Sequence, residues 1–146
     1  MKHQIPLNII SIEDEGFHLF VEGTLNGFPL LLLVDTGASR SVFDKQKISE
    51  KFPGGLPELI ENEKLSTGLG TTTMQSQSVI LDSFSIGSLK ISDYQAVVME
   101  MSHVNESYAH LDLPGIDGVI GSDILMNYRA VINYKKKILV LRDNRD

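Results

Sequence analysis

The sequence has no cysteine among its 146 residues, which excludes disulfides and thiolate metal sites and suits a reducing compartment. Basic residues are in the minority: 13 Lys and Arg stand against 19 Asp and Glu, a formal net charge of −6. A nucleic-acid partner is therefore not expected, because phosphate recognition needs a basic surface. The one basic run, Lys135-Lys136-Lys137, is short and reads as a solvated turn. No apolar stretch reaches the roughly 20 residues that a membrane-crossing helix requires, so no membrane association is expected. The N-terminus, Met1-Lys2-His3-Gln4-Ile5-Pro6, lacks the apolar core and cleavage site of a signal peptide. A cytoplasmic location is the expectation, unless such a peptide has been removed. Internal repeats and low-complexity linkers are absent as well, and the length suits one core, so residues 1–146 read as a single domain.

Metal-ligand spacing is also missing. His3, His18, His103 and His110 are scattered, and the gap between the last two does not match a zinc helix pair, whose ligands lie about four apart. They read as ordinary surface or packing residues, with no metal or cofactor expected. Asn105-Glu106-Ser107 matches a glycosylation sequon, which has meaning only on a secreted protein. No Ser-His or Cys-His pair has supporting motif context.

What the sequence does have is strand pattern. Ile5 to Ile12 is apolar-rich, and Phe17 to Leu25 is rich in β-formers with partial alternation. Asn26-Gly27 is a strong hairpin signal, because both central residues of a type I′ turn need positive φ. Phe28 to Val34 runs almost without a polar residue, the pattern of a strand covered on both faces. A short helix is expected within Phe43 to Phe52, ended by Pro53-Gly54-Gly55. Lys64 to Ser66 and Thr72 to Leu81 are strand-like around a Gly68-Leu69-Gly70 tip. Phe84 to Ile91 reads as a hairpin turning at Gly87-Ser88, and Tyr94 to Met101 as a strand. His103 to Pro114 is polar and reads as an irregular surface insertion. Ile116 to Ile120 leads into a second short helix after Gly121, with Ser122 as its candidate N-cap. Strands over Ala130–Tyr134 and Ile138–Leu141 close the chain. Many short strands with one or two brief helices predict an all-β barrel or sandwich.

Asp35 is the residue that stands out. It directly follows the apolar run, at a strand end where burial would disfavour its charged form unless donors are supplied. Thr36 and Ser39 hydroxyls and the backbone amides around Gly37 are the donors at hand, and Gly37 suits a tight turn. By itself, Asp-Thr-Gly also reads as an aspartate capping its own turn.

Its context resembles the active-site motif of aspartic proteases: an apolar strand followed by Asp35-Thr36-Gly37-Ala38-Ser39. Downstream, Val119-Ile120-Gly121, followed by Ser122-Asp123-Ile124-Leu125, is similar to the family's second element, two apolar residues and a glycine before a short helix. Between them, Thr67-Gly68-Leu69-Gly70-Thr71 looks like the family's flap. The resemblance covers roughly residues 16 to 142 and is closest to the single-domain retropepsin-like members, cellular and bacterial. It implies an all-β, closed or partly open barrel of the retropepsin-like acid protease type. It implies that Asp35 is the catalytic carboxylate, that Thr36 braces the two loops across a dimer, and that the Gly37 amide holds the carboxylate coplanar with its partner. Ser39 would bond the outer carboxylate oxygen, with Ala38 in the same loop. Val119, Ile120 and Gly121 would support that loop from behind, and Thr67 to Thr71 would close over the substrate.

The family's chemistry needs two carboxylates, and this chain offers one Asp-Thr-Gly. Asp117-Gly118 lacks both the preceding apolar strand and the hydroxyl residue. The expectation is a homodimeric aspartic endopeptidase with an Asp35/Asp35′ dyad on a two-fold axis, acting on peptide or protein substrates. The alternative is a peptide-binding or dimerisation module of the same fold with little turnover. Terminal segments around Ile5–Ile10 and Ile138–Leu141 are expected to be edge strands whose free backbone groups another chain could satisfy.

Overall fold

The computed structural model describes residues 1–14, 16–61, 76–143 and, by backbone, 65–66 and 73–74. The glycine tip Gly68-Leu69-Gly70, with Thr67 and Thr71, lies outside the described residues. In chain order the elements are β1 Lys2–Pro6, β2 Asn8–Ser11, β3 Phe17–Leu25, β4 Phe28–Val34, β5 Val42–Asp44, α1 Lys45–Ser49, β6 Ile60–Glu61, β7 Leu65–Ser66 and β8 Thr73–Met74. They continue with β9 Gln77–Leu81, β10 Phe84–Ile86, β11 Leu89–Ile91, β12 Tyr94–Met99, α2 Ser102–His110, β13 Gly118–Ile120, α3 Ser122–Asn127, β14 Val131–Asn133 and β15 Ile138–Arg142.

The largest sheet runs β11-β10-β3-β4-β13-β5-β12-β9-β6, with β2 also paired to β3. This path is open at both ends, so the all-β architecture is that of a partly open barrel. β3 and β4 form the expected hairpin, with Asn26 at φ 53° and Gly27 at φ 85° supplying the two positive-φ positions. β4 and β5 follow each other in the chain but do not pair. β13 lies between them, parallel to β4 and antiparallel to β5. That insertion carries the end of β13 to the end of β4, where Asp35 begins.

The apolar run of β4 is explained by two cores. Leu30, Leu32 and Val34 are buried in the larger cluster, while Leu31 and Leu33 are half-buried against Phe20, Met101, Tyr108 and Ile116. Burying a side chain of this size is worth about 1.5–3 kcal/mol, so a strand covered on both faces is a strong anchor for the loop that follows it.

Several expectations need correction. His103 to Pro114 is irregular only from Leu111 onward, because Ser102–His110 form α2. Tyr108 is the one buried residue on that helix, too sparse a pattern for periodicity to reveal. Met101 precedes α2 as its N-cap, so β12 stops at Met99. The first helix is confined to Lys45–Ser49, because Val42 and Phe43 pair with β13 and β12 while Asp44 caps the helix by accepting from the Lys47 amide at 2.9 Å. The N-cap of α3 is Gly121 rather than Ser122. The terminal strands are not both edges: β1 pairs β15, and β15 is flanked on its other side by β14. Among the described residues the free edges of this three-stranded sheet therefore belong to β1 and β14.

The sequon residue Asn105 is also accounted for. Its amide donates to Ile116 O at 3.2 Å and accepts from Ile116 N at 2.7 Å, seating α2 on the start of the β13 segment. A glycan on that amide nitrogen would take one of its two hydrogens and crowd this contact.

Candidate active site

β4 delivers Asp35 to the surface. The Asp35 N–H donates to Ile120 O at 3.0 Å, extending the parallel pairing of β4 with β13 by one further bond. Beyond this point the chain turns sharply: Ala38 N donates to Asp35 O at 3.2 Å, and Gly37 N donates to the Asp35 carboxylate oxygen Oδ1 at 2.9 Å. The second bond is the i to i+2 contact of an Asx turn, so the ordinary turn geometry and the braced carboxylate are here the same arrangement. Gly37 does not take a positive φ, contrary to the tight-turn argument. Its missing side chain instead leaves room for the carboxylate, since a Cβ would lie 3.3 Å from Asp35 Oδ1.

Asp35, Thr36 and Gly37 are exposed in the single chain, which by itself supplies no water-poor setting at the strand end. β4 is buried only as far as Val34. Neither the Thr36 nor the Ser39 hydroxyl is hydrogen-bonded to the carboxylate among the described residues. The amide of Gly37 is the donor that the loop itself supplies.

Val119, Ile120 and Gly121 lie directly behind this loop. Val119 pairs Leu33 and Ile120 pairs Val34. Gly121 passes so close to the loop that a Cβ would stand 2.7 Å from Ala38 O and 2.8 Å from Arg40 C and O. These are backbone atoms with little freedom to move, which is why glycine is needed here. Ser122 N donates to Ala38 O at 2.7 Å, and Ser122 Oγ reaches Ser39 O at 3.4 Å.

Three residues that sequence reasoning passed over complete the brace. Ser41, fully buried, receives the Gly121 N–H on its Oγ at 2.9 Å. Asp123 Oδ1 accepts from both Ser41 N and Ser41 Oγ at 2.8 and 2.7 Å, and its Oδ2 accepts from the Tyr94 hydroxyl at 3.0 Å. Burial, then the Asp123 charge, pushes the Tyr94 hydroxyl well above the ordinary tyrosine range. The hydroxyl therefore stays protonated and available as a donor. Ser41 and Asp123 stand two residues beyond Ser39 and Gly121, an offset that nothing local marks, because their bond crosses 82 positions.

Asp117 has a structural role instead. Its Oδ2 accepts from Leu31 N at 2.8 Å, its own N–H donates to Leu31 O at 2.8 Å, and Lys51 Nζ lies 3.7 Å from its Oδ1. Its carboxylate is occupied by the backbone of β4, which rules it out as a second copy of Asp35.

Two cavities flank Thr36. One, of about 330 Å³, is lined by Asp35 and Thr36 together with His18, Leu33, Ile132 and Tyr134. The other, of about 380 Å³, is lined mainly by apolar groups of α3 and β14, including Leu125, Met126 and Ile132. His18, read from sequence as a packing residue, accordingly shares a cavity with Asp35. Its Nδ1 lies 2.9 Å from the hydroxyl of Tyr108. Burial, then the Asp35 charge, raises the Tyr108 hydroxyl above its ordinary range. Among the described residues, no group of three His, Asp or Glu side chains converges as a metal site, and no helix is long and apolar enough to cross a membrane.

The fold is similar to a retropepsin-like aspartic protease from Rickettsia conorii. That likeness covers 97% of this chain and 89% of the other, with a TM-score of 0.57 at 20% identity. It is also similar to the retroviral protease-like domain of Ddi1 from Leishmania major, over 87% of this chain and 89% of that one, with a TM-score of 0.51 at 18% identity. Identities this low establish the fold. No curated protein sequence matches the chain. The sequence profile of the family described as aspartyl protease matches residues 21–124, from β3 into α3 and thus across the whole braced loop. With that match over well more than half its length and a retropepsin-like fold, the chain belongs to the aspartyl protease family.

Proposed function

We propose that this chain, as one domain over residues 1–146, works as a homodimeric aspartic endopeptidase, in the cytoplasm. The observation that carries the reading is the state of the Asp35 carboxylate. It is exposed at the end of a buried strand, oriented by the Gly37 amide, and mounted on a loop fixed from behind by Gly121, Ser122 and Asp123. A side chain needed only for folding has no use for a rigid mount and an open face. Catalytic groups need both, because the reacting geometry must be set before substrate arrives.

A single carboxylate cannot do the chemistry alone. Brought beside the partner's Asp35 on a two-fold axis, the pair retains one proton between them, since two close like charges do not both ionise readily. The ionised member takes a proton from a water as its oxygen attacks the scissile carbonyl carbon. The protonated member donates a hydrogen bond to the carbonyl oxygen, where negative charge develops. The tetrahedral intermediate then collapses: the C–N bond breaks, and the leaving nitrogen receives a proton from the dyad. On the sequence pattern, Thr36 is assigned to bracing the two loops, Ala38 and Ser39 to the loop beside the carboxylate, and Thr67 to Thr71 to covering the substrate.

Support for pairing comes from the surface around the loop. Met126 is 82% exposed, Val131 55% and Tyr134 62%, three large apolar groups on or beside α3 and β14. Among the described residues β14 has a strand neighbour on one side only, and its Ile132 lines the same cavity as Asp35. An open strand edge with adjoining apolar side chains suits a second copy of this chain. Such an interface should bury more than about 1,000 Å².

The test is cleavage of a diverse peptide library at acidic and neutral pH by the parent and by Asp35→Asn, with sedimentation in the same buffers. The parent should cleave and the variant should not, while fold and association are retained. Equal cleavage by both would remove Asp35 from the mechanism. Binding without cleavage by the parent would favour the peptide-binding module.

A further inference from the structure

We propose that His18 determines substrate specificity: held in place by Tyr108 of α2, it presents an N–H donor to a carboxamide or carboxylate side chain next to the scissile bond. The inference rests on the endopeptidase reading of Asp35. It adds a residue and a substrate class that the Asp-Thr-Gly motif does not specify.

Position is the first argument. His18 lies on β3, pairing Ile10 of β2, and lines the cavity that also holds Asp35 and Thr36. A peptide whose scissile carbonyl sits over Asp35 therefore places a neighbouring side chain at or near this cavity. Its volume, about 330 Å³, accommodates a side chain. Leu33 and Ile132 give it apolar walls that suit a methylene stem, and His18 supplies a polar group for the tip.

Orientation is the second. His18 Nδ1 lies 2.9 Å from the Tyr108 hydroxyl, and the two rings meet edge to face at 5.8 Å and 86°. Tyr108 is in turn packed on Phe20 at 5.8 Å and is the one buried residue of α2. The helix thus bears on the core through the same side chain that grips His18, across 90 positions of sequence. In this proposal the Tyr108 hydroxyl is the donor in the contact. A Tyr108 hydroxyl that donates to Nδ1 leaves the neutral ring's proton on Nε2, and in the imidazolium both nitrogens are protonated. In either state Nε2–H is the group left to donate. A histidine serving only as packing has no need of such a hold and would not share the cavity of the exposed carboxylate.

The acceptor class follows from that donor. Glutamine and glutamate side chains combine an apolar stem with an accepting oxygen, and leucine of similar size offers no acceptor. A site that hydrogen-bonds its substrate discriminates against an analogue lacking the partner.

The experiment compares parent, His18→Leu, His18→Gln and Tyr108→Phe on a peptide library. It then uses peptide pairs differing by Gln, Glu or Leu at the position the parent prefers. The parent should favour Gln or Glu at one position within two residues of the cleaved bond. The ratio of kcat/KM for the Gln peptide over the Leu peptide should fall by about tenfold in His18→Leu. His18→Gln, which keeps an N–H donor, should recover part of that ratio, and Tyr108→Phe should lower it by a smaller factor. Ratios taken within one enzyme cancel any loss of folded or paired protein, so a purely structural role would leave them unmoved. A parent that cleaves with no preference for an acceptor, or a His18→Leu profile identical to the parent's, overturns the assignment and leaves the endopeptidase reading intact. A parent that cleaves nothing overturns both.

Discussion

Asp123 holds Ser41 by both of its donors: one carboxylate oxygen accepts the Ser41 backbone N–H at 2.8 Å and its hydroxyl at 2.7 Å. Because Ser41 also receives the Gly121 N–H, the far end of the Asp35 loop, just before β5, and the turn into α3 are joined through one buried hydroxyl. Buried polar groups in such a network are costly to leave unmatched.

Asp123→Ala removes the acceptor for Ser41 and for Tyr94 together. Stability should fall by about 2–3 kcal/mol, read as a lower urea midpoint at unchanged slope. Under the endopeptidase reading, kcat should drop by roughly a hundredfold as the Asp35 loop loses its position. Asp123→Asn keeps one accepting oxygen and should lie between parent and alanine on both measures. An alanine variant as stable and active as the parent would remove the brace from this account.

Gly121→Ala meets backbone on two sides, with Ala38 O at 2.7 Å and Arg40 at 2.8 Å from the added carbon. Overpacking of this kind costs about 1–3 kcal/mol, and the shift falls on the loop that bears Asp35. Thermal unfolding should show the loss and, under the endopeptidase reading, cleavage should fall beyond what the unfolded fraction explains. At Gly27, where a Cβ would meet nothing but φ is +85°, alanine should cost stability and leave cleavage per folded molecule unaffected.

Alkaline pH should destabilise the fold in a particular way. Tyr94, Tyr108 and Tyr128 are all raised above the ordinary tyrosine value, by burial first and then by the charges of Asp123, Asp35 and Asp143 respectively. In the unfolded chain tyrosine ionises near 10. From about pH 10 up to the raised folded values, the folded state holds protons that the unfolded state has released, so stability falls as pH rises. Tyr94→Phe should flatten this decline. A variant with the parent's slope would show that Tyr94 is not its source.

Pairing makes a quantitative demand on mixtures. If each site needs Asp35 from both chains, blending parent with inactive Asp35→Asn at fixed total concentration should lower activity as the square of the parent fraction, once subunits exchange. A linear decline would mean that one chain suffices. Dilution of the parent alone should lower its specific activity.

How far the chain could be read without coordinates depended on distance along it. The Asn26-Gly27 hairpin, the apolar β4 and the loop at Asp35 were legible, because each rests on residues adjacent in sequence with strict local demands. Val119-Ile120-Gly121 was legible as a second motif, and β13 indeed lies against β4. Ser41, Asp123 and Tyr94 were not, since their bonds cross 82 and 29 positions and leave no local pattern. α2 escaped notice because Tyr108 alone on it is buried. The pairing of β1 with β15 replaced an expectation of two edges, because edge and centre are properties of partners and not of the strand itself.

The long span between Ser41 and Asp123 also has a consequence in time. Synthesis proceeds from the N-terminus at about 5–20 residues per second, so 82 positions separate these two residues by roughly 4–16 s. Throughout that interval a nascent chain carries Asp35 without the residues that pin its loop. The carboxylate is thus among the early features to emerge and among the late ones to be set in place.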